Sequence, residues 1–272
     1  NIDIYAIEEY YTENDSPKRI GLTTSEFPPF KFFKTKQEFY ADGTIKSQEK
    51  YHISGKMIDT AYYWYPDNKI KLITYIDPKD INIAKIKYLV YLDSHQNMVI
   101  KNGNGYVHHD LSGVSPESKE MDFQEGQVVN YEKNGMWKGK LYGEYEFEEI
   151  YDNGNLVKGK TINSTGKTIT YTAQNLYEQA SYKGGLSSLM SYIGSNYRIP
   201  LQAKQAGIKG TLNLYFVVEK DGSISDISLT KDLGYGTGEA AIEVVKKLKK
   251  FEPAKYKGIP QKSIFSLPIN ID

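Results

Sequence analysis

The sequence has no cysteine, only 2 Trp, and no net charge. Without cysteine, disulfides, thiolate nucleophiles and Cys-ligated zinc or iron–sulfur sites are excluded. The 34 basic and 34 acidic residues cancel, which argues against nucleic acid as a partner, because such binding needs clustered positive charge. Apolar runs such as residues 88–92 fall far short of the ~20 residues that a membrane helix requires.

The start of the sequence does not resemble a signal peptide. Its first residues, Asn1, Ile2 and Asp3, are not those of such a segment. Removal of a signal or of a membrane anchor would leave such a start, and the missing cysteines do not decide the compartment.

Tyrosine is abundant, with 24 Tyr against 10 Phe, and this favours strands. Up to residue 172, short aromatic and aliphatic runs alternate with turn signals such as Asp42-Gly43, Asn134-Gly135 and Asn153-Gly154. Asp-Gly and Asn-Gly supply the positive φ angles of hairpin turns. We therefore predict that residues 1–172 form a mostly antiparallel β domain with little helix.

The runs also resemble one another. Residues 38–46, 63–71 and 149–157 share an aromatic entry, a turn and an aliphatic exit, with Asn68 replacing the Gly of the first. The pattern resembles the MORN-type repeats of bacterial exported proteins, most clearly in residues 143–159. The resemblance implies stacked hairpins. Four tyrosines are expected at equivalent places on successive hairpins: Tyr40, Tyr63, Tyr65 and Tyr151.

The spacing of apolar residues changes from residue 184 onward. Apolar residues at helical spacing predict a first helix, and a Pro200 start and a Gly207 end predict a short second one. Apolar and polar residues then alternate in residues 211–218, which predicts a strand that ends at an Asp221-Gly222 turn. The pattern next predicts a helix around residues 241–248 and a final strand. We predict a two-layer α+β domain over residues 184–272, joined by a linker at residues 173–183. The first helix is indicated by Leu186, Leu189, Met190 and Ile193.

The C-terminal domain resembles the periplasmic C-terminal domain of TonB-family energy transducers. The pairing with Tyr-rich hairpins resembles TonB-family proteins of Bacteroidetes-type bacteria, although Ile199 replaces the usual Tyr before Pro200. The residues that carry the resemblance are Ile199-Pro200-Leu201-Gln202-Ala203, the run 206–216, Asp221-Gly222-Ser223-Ile224, Lys250-Phe251-Glu252-Pro253-Ala254 and Ser266-Leu267-Pro268-Ile269.

The resemblance implies a periplasmic, non-enzymatic protein that captures the TonB-box peptide of an outer-membrane receptor. The peptide would add as a strand beside the last strand, around residues 262–271. Pro268 independently favours a sheet edge, because it has no N–H to donate. The implied partner-binding residues are Lys262, Ser263, Ile264, Phe265, Ser266, Leu267, Asn196 and Ile199.

Other partners follow from the same resemblance. Inner-membrane motor proteins would be reached only through an anchor missing from this sequence, and a homodimer is left open. The rival hypothesis is an exported scaffold or adhesion module, in which the Tyr-rich sheet binds glycan or protein.

The sequence offers weak signals for catalysis, cofactors or metals, and we predict none of these. His108-His109-Asp110 could ligate a metal, but adjacent strand residues point to opposite faces, so a polar loop is the favoured interpretation. The glycines of residues 234–238 favour a loop capped by Thr237 over a phosphate site. Residues 217–228 lack the end ligands of a calcium loop, so a hairpin is favoured. The carboxylates of Glu144, Glu146, Glu148 and Glu149 predict a charged solvent face rather than a glycosidase pair.

Overall fold

The computed structural model describes residues 3–24, 30–79, 85–111, 119 and 122–271. Asn1 and Ile2 lie outside these ranges. The chain divides into two compact units, Asn1–Ala173 and Gln174–Asp272, called the N-terminal and C-terminal units below. Over the described ranges, no helix has the length and apolar character needed to cross a membrane.

The described residues of the N-terminal unit form one antiparallel sheet of 13 strands, in agreement with the β-rich prediction. Each of the first seven strands pairs with the next along the chain. The seventh strand then pairs with the tenth, and the tenth to the thirteenth again pair in order. The eighth and ninth strands pair with each other, and the ninth also pairs with the tenth. The strands are β1 (Tyr5–Tyr10), β2 (Pro17–Thr23), β3 (Phe32–Phe39), β4 (Ile45–Tyr51), β5 (Met57–Trp64), β6 (Ile70–Ile76), β7 (Lys87–Tyr91), β8 (Gly105–Asp110), β9 (Phe123–Val129), β10 (Glu132–Leu141), β11 (Tyr145–Asp152), β12 (Asn155–Ile162) and β13 (Thr168–Tyr171).

Five turns of the N-terminal unit share one geometry. The Tyr40 N–H donates to the Thr44 carbonyl at 2.8 Å, and the Gly43 N–H donates to the Tyr40 carbonyl at 2.9 Å. The same pair of bonds closes the turns at residues 52–56, 65–69, 93–97 and 163–167. The fourth residue of each turn has a left-handed φ, which is 84° at Gly43 and 62° at Asn68. Gly occupies this place in three of the five turns, Gln96 occupies it at residues 93–97, and Asn68 suits it because Asn tolerates the left-handed region better than most residues.

A tyrosine hydroxyl links each of three hairpins to the next. The Tyr11 hydroxyl donates to the Phe39 carbonyl at 2.9 Å, Tyr40 to Trp64 at 2.8 Å, and Tyr65 to Leu92 at 2.9 Å. Each donor follows an odd-numbered strand, and each acceptor lies at or just after the end of the next odd-numbered strand. These three bonds are called the tyrosine links below.

The four tyrosines expected to be equivalent therefore form two classes. Tyr40 and Tyr65 make tyrosine links, whereas the Tyr63 hydroxyl donates to Glu49 at 3.1 Å and the Tyr151 hydroxyl to Glu149 at 3.0 Å. The hydroxyls of Tyr63 and Tyr151 thus donate to buried carboxylates, those of Glu49 and Glu149.

One buried face of the sheet is charged. Lys36 is 1% exposed, and its Nζ lies 2.7 Å from a Glu49 oxygen and 3.1 Å from a Glu38 oxygen. Glu38 also accepts the Arg19 guanidinium at 3.0 Å. Burial opposes a charge on Glu49, but Lys36 and the Tyr51 and Tyr63 hydroxyls outweigh it and lower the pKa of Glu49. Burying these charges is tolerated because each is paired and hydrogen-bonded.

Glu149 corrects the predicted solvent face. It is 0% exposed and accepts hydroxyl protons from Tyr151 and Tyr171, each at 3.0 Å. Glu149 has the same strand parity as the buried Phe147, so the alternation of β11 directs it inward. Glu144 and Glu146 are exposed and Glu148 is half-buried.

The C-terminal unit has helices and strands in the predicted order, with additional short strands. Its sheets are ordered β17-β16-β21, β14-β19-β20 and β15-β18. The elements are a 3₁₀ turn (Ala173–Asn175) at the unit boundary, β14 (Tyr177–Glu178), β15 (Ser181–Tyr182), α1 (Gly185–Asn196), α2 (Leu201–Gln205), β16 (Gly210–Val218), β17 (Ile224–Lys231), α3 (Thr237–Val245), β18 (Phe251–Glu252), β19 (Ala254–Tyr256), β20 (Ile259–Gln261) and β21 (Ser263–Ile271).

The segment 173–183 is more than the predicted linker. From residue 174 it lies in the C-terminal unit, where β14 pairs with β19 and β15 with β18. Tyr182 is 8% exposed, with its ring centroid 5.2 Å from that of Phe251. The pairing partners lie about 70 to 80 residues away in the sequence, so local composition does not reveal them.

The helices agree with their predicted places, but the buried face of α1 is narrower. Leu189 and Ile193 are buried, whereas Leu186 is 63% and Met190 38% exposed. Gly207, with φ 64°, ends α2 as predicted, and the Ile208 N–H donates back to the Ala203 carbonyl at 3.0 Å.

Candidate functional site

Strand β21 lies at one edge of the C-terminal sheet, as the position of Pro268 predicts. It pairs with β16 through nine consecutive residue pairs, from Ser263 opposite Val218 to Ile271 opposite Gly210, without a register shift. Among the residues that the structure describes, no strand pairs with its other side. A regular, straight edge of this kind presents unpaired backbone groups to a partner.

Pro268 shows which backbone groups face this edge. It lies opposite Asn213, whose carbonyl oxygen accepts the Thr230 hydroxyl at 3.4 Å and therefore points toward β17. The pair of Asn213 and Pro268 is thus a non-hydrogen-bonded pair, and the Pro268 nitrogen faces away from β16. Because orientation alternates along a strand, the N–H groups of Ile264, Ser266 and Asn270 also face the free edge.

Side chains of β21 alternate in the same way. Leu267, Ile269 and Ile271 are buried in the hydrophobic cluster, while Ser266, Pro268 and Asn270 are exposed. Phe265 is half-buried, with its ring stacked at 5.4 Å on Phe216. The core therefore anchors one face of the strand, and the residues of the other face are Ile264, Ser266, Pro268 and Asn270.

The opposite edge of the sheet is less regular. Strand β17 pairs with β16 through two register shifts, and Asp226 in its middle has a φ of 49°. Bulges of this kind disrupt the row of backbone groups that a new strand would need. Of the two edges, β21 is the one suited to strand addition.

A charged pair lies beside the start of β21. The Lys262 ammonium is 2.9 Å from a Glu219 oxygen, and both side chains are partly exposed. Hydrogen bonds from Ser225 and Lys262 lower the pKa of Glu219. The Ser263 hydroxyl is buried and has no hydrogen-bond partner.

The remaining two predicted partner residues lie elsewhere in the unit. Asn196 is the last residue of α1, and its Nδ2 donates to the Tyr192 carbonyl of the same helix at 2.8 Å. Ile199 lies between α1 and α2 and packs, half-buried, on the hydrophobic cluster. The six residues 262–267 are contiguous at the edge, whereas these two are not on β21.

His108 and His109 lie on strand β8, so the expected polar loop is wrong. As predicted, they point to opposite faces: His108 lies 2.9 Å from Glu125 and is exposed, whereas His109 is buried. Within the described ranges, no group of three or more His, Cys, Asp or Glu side chains could hold a metal ion.

The glycine-rich loop before α3 is a structural turn. Gly236 caps the helix with a left-handed φ of 79°, and Thr237 is the first helical residue. The Thr237 hydroxyl lies 2.7 Å from the Gly234 carbonyl oxygen and 3.0 Å from an Asp232 oxygen, and its one proton is directed to these two acceptors. The predicted cap at Thr237 is therefore wrong, because its hydroxyl bonds back to the loop. Residues 217–228 form the favoured hairpin, closed by two bonds between Glu219 and its turn.

Sequence comparison gives the C-terminal unit a relative. Residues 196–271 match the family model of the Gram-negative bacterial TonB protein C-terminal. The match runs from the last residue of α1 to the last residue of β21, and so includes the whole β17-β16-β21 sheet. This TonB match confirms the resemblance of the C-terminal part, and the matched region does not extend to the hairpins of the N-terminal unit.

Two further comparisons complete the picture. The NMR solution structure of Helicobacter pylori TonB-CTD is 24% identical to this chain, covers 32% of it and 91% of its own length, and has a TM-score of 0.25. A comparison with curated proteins gives no match. The TonB match therefore concerns the C-terminal unit alone.

Proposed function

We propose that the C-terminal unit docks in the periplasm to an extended peptide of an outer-membrane receptor, which adds as a strand beside β21. The observation that carries the proposal is the regular free edge with outward N–H groups at Ile264, Ser266 and Asn270. Main-chain bonds would supply affinity, and side-chain contacts along the edge would supply specificity.

Two features of the edge limit how a peptide pairs. Pro268 offers no N–H, so the ladder is interrupted between Ser266 and Asn270. The proposed docking segment is therefore residues 262–267, with the Lys262–Glu219 ion pair at its start. The same pair serves as a charged guard against unwanted pairing between edges.

The wider role rests on the same docking step. With a membrane anchor outside this sequence, the unit would transmit energy from inner-membrane motor proteins to the receptor. In this proposal, the hairpins of the N-terminal unit are MORN-type repeats that precede the docking unit. Their recurring turns and tyrosine links support this assignment.

The test is a titration of peptides from the periplasmic plugs of receptors of the same organism, followed by backbone amide shifts in the full chain. Shifts are expected to concentrate at residues 262–267. Ser266→Pro, which removes an outward N–H, should weaken binding about tenfold or more, the loss expected for one or more backbone hydrogen bonds. Ser266→Ala keeps that N–H and is the matched control.

The outcome also separates the rival hypothesis. Binding whose shifts fall on the N-terminal sheet and spare β21 would favour a scaffold or adhesion module. Equal binding by Ser266→Pro and Ser266→Ala would reject strand addition at this edge.

A further inference from the structure

A cavity of about 260 Å³ lies on strands β9 to β12 of the N-terminal unit. It opens on the face of the sheet that carries Lys138 and Lys140, whereas Gly139 between them is buried. This volume is just below the roughly 300–1,000 Å³ of most small-molecule sites, so it suits a ligand with one ring. The side chains that line it from this face are Phe123, Lys138, Lys140, Glu146, Glu148 and Ile162.

The strand register brings four of these side chains into one row. Lys140 of β10 lies opposite Phe123 of β9 and opposite Glu146 of β11, and Glu146 lies opposite Ile162 of β12. Residues directly opposite one another share a face of the sheet, with Cβ atoms about 5 Å apart. An aromatic ring, an ammonium, a carboxylate and an aliphatic side chain therefore lie side by side along the cavity.

Lys140 and Glu146 keep their hydrogen-bonding capacity. Among the residues that the structure describes, neither side chain forms an ion pair or a side-chain hydrogen bond. The next row differs, because Lys138 lies 3.2 Å from Glu125 and Glu148 is paired with a lysine of β12 at 2.9 Å. One wall of the cavity is thus held by ion pairs, and the other offers one donor and one acceptor.

Phe123 is held in place at one end of its row. The His108 ring stacks on it, with 5.0 Å between centroids and 20° between ring planes, and the His108 Nδ1 lies 2.9 Å from Glu125. The face of an aromatic ring carries a negative partial charge, which attracts weakly positive C–H groups. The half-buried Phe123 therefore suits a ligand that has a C–H face.

The charges of the lining cancel. Two lysines and two glutamates line the cavity, so an anion would meet two carboxylates and a cation would meet two ammonium groups. A carboxylate only accepts hydrogen bonds and an ammonium only donates them, whereas a hydroxyl does both. A neutral ligand with adjacent hydroxyls can therefore use both free groups, through hydrogen bonds of the stronger, charge-assisted kind.

We infer that this cavity binds a neutral hexopyranose sugar, with adjacent hydroxyls on Lys140 and Glu146 and a C–H face on Phe123. One hydroxyl donates to the Glu146 carboxylate, and its neighbour on the sugar ring accepts from the Lys140 ammonium. Ile162 bounds the cavity at the other end of the row. This sugar site belongs to the N-terminal unit and does not depend on docking at β21.

Such a sugar is either free or the terminal residue of a glycan. Glucose, galactose and mannose test the shared pyranose ring, and their methyl glycosides test the glycan source, because the methyl group blocks the anomeric oxygen as a glycan chain does. Methyl glycosides that bind as tightly as the free sugars would assign a glycan end. Binding of the free sugars alone would assign a free hexose.

The experiment titrates the full chain with these six sugars and follows backbone amide shifts at constant ionic strength. At least one sugar is expected to shift the amides of Phe123, Lys140 and Glu146 saturably. Lys140→Met and Glu146→Met keep the side-chain stem and remove the charged group. Each should weaken binding about tenfold, the loss of one hydrogen bond to a charged group.

Matched controls separate the cavity from general surface charge. Lys158→Met and Glu144→Met remove exposed charges that do not line the cavity, and both should leave binding unchanged. Ser266→Pro, at the docking edge, should also leave it unchanged, so the sugar site and the docking proposal fail separately. The amide spectrum of each variant shows that it is folded.

Three results would overturn the sugar site. The first is the lack of a saturable shift at the cavity with any of the six sugars. The second is wild-type affinity in both Lys140→Met and Glu146→Met. The third is an equal response of the same amides to glycine, a zwitterion, which would assign the free lysine and glutamate to an ionic ligand instead.

Discussion

Asn213 and Pro268 lie opposite one another in the C-terminal sheet, and the Asn213 carbonyl turns away from Pro268 to accept the Thr230 hydroxyl. The proline thus occupies the one kind of position on an edge strand where its missing N–H costs no bond to the neighbouring strand. It interrupts the outward row of donors instead, which discourages long pairing between edges of two molecules.

Replacement of Pro268 should therefore increase self-association. Pro268→Ala adds one outward N–H and makes a continuous edge from Ile264 to Asn270. We expect a higher dimer fraction in analytical ultracentrifugation than for the wild-type chain at equal concentration. Ser266→Ala, which adds no donor, is the control. An unchanged dimer fraction would show that the proline does not protect this edge.

The C-terminal unit should need residues 174–183 for full stability. A fragment of residues 174–272 keeps β14, β15 and the buried Tyr182, whereas a fragment of residues 184–272 loses them. Removing a buried aromatic side chain costs about 3–5 kcal/mol. Urea unfolding followed by circular dichroism should show the shorter fragment less stable by at least this amount. Equal urea midpoints for the two fragments would show that residues 174–183 are a simple linker.

Two glycines of the same unit should respond to alanine with opposite signs. At Gly194 in α1 and at Gly207 after α2, an added Cβ meets no atom within 4 Å, but only Gly207 has a left-handed φ, of 64°. Gly194→Ala should stabilise the unit by about 0.5–1 kcal/mol, and Gly207→Ala should destabilise it by about 1 kcal/mol.

Helical circular dichroism measures both variants, because the α-helices of the described ranges all lie in the C-terminal unit. Two shifts of the same sign would contradict the assigned backbone conformations.

The buried ion pair of Lys36 and Glu49 should dominate the stability of the N-terminal unit. Lys36→Met leaves the buried Glu49 carboxylate without its cation, while Glu38 keeps Arg19, and should cost about 3–5 kcal/mol. The exposed pair of Lys50 and Asp59, at the same 2.7 Å, is the control, and Lys50→Met should cost at most about 1 kcal/mol. Tryptophan fluorescence in urea reports this unit selectively, since Trp64 and Trp137 both lie in it. Similar losses in the two variants would refute the role of burial.

Stability of the N-terminal unit should fall as the pH drops from about 6.5 toward 5, where the unfolded chain gains a proton at His109. The folded pKa of His109 is lowered to about 3, so its contribution is present above the unfolded pKa and is lost as pH falls toward the folded value. The maximal slope is about 1.4 kcal/mol per pH unit.

His109→Phe should flatten this slope, because the variant has no proton to bind. Urea unfolding in buffers without carboxylates measures it, and carboxylate side chains titrate mostly below this window. A wild-type curve that is flat between these pH values would show that His109 is not held neutral.

The predictable parts of the fold are those with a local cause. Asp42-Gly43 and Asp221-Gly222 form the expected turns, and Pro268 marks the edge strand. The pairing of β14 and β15 with strands near residue 252 has a non-local cause, and the sequence therefore suggested a linker. Glu149 was misjudged although a signal existed, since it alternates in phase with Phe147 and Tyr151. The exposure of Leu186 depends on which neighbours cover α1, and helical spacing alone cannot reveal it.

The tyrosine links make the N-terminal sheet extendable in whole units. Each link joins one hairpin to the next, and its donor and acceptor residues are 24–28 residues apart in the sequence. An inserted complete hairpin would therefore bring its own tyrosine link. Two strands spaced about 4.8 Å apart add roughly 10 Å of sheet width. Duplication or loss of a hairpin would then change the reach of this part of the protein in fixed increments while leaving every remaining junction intact.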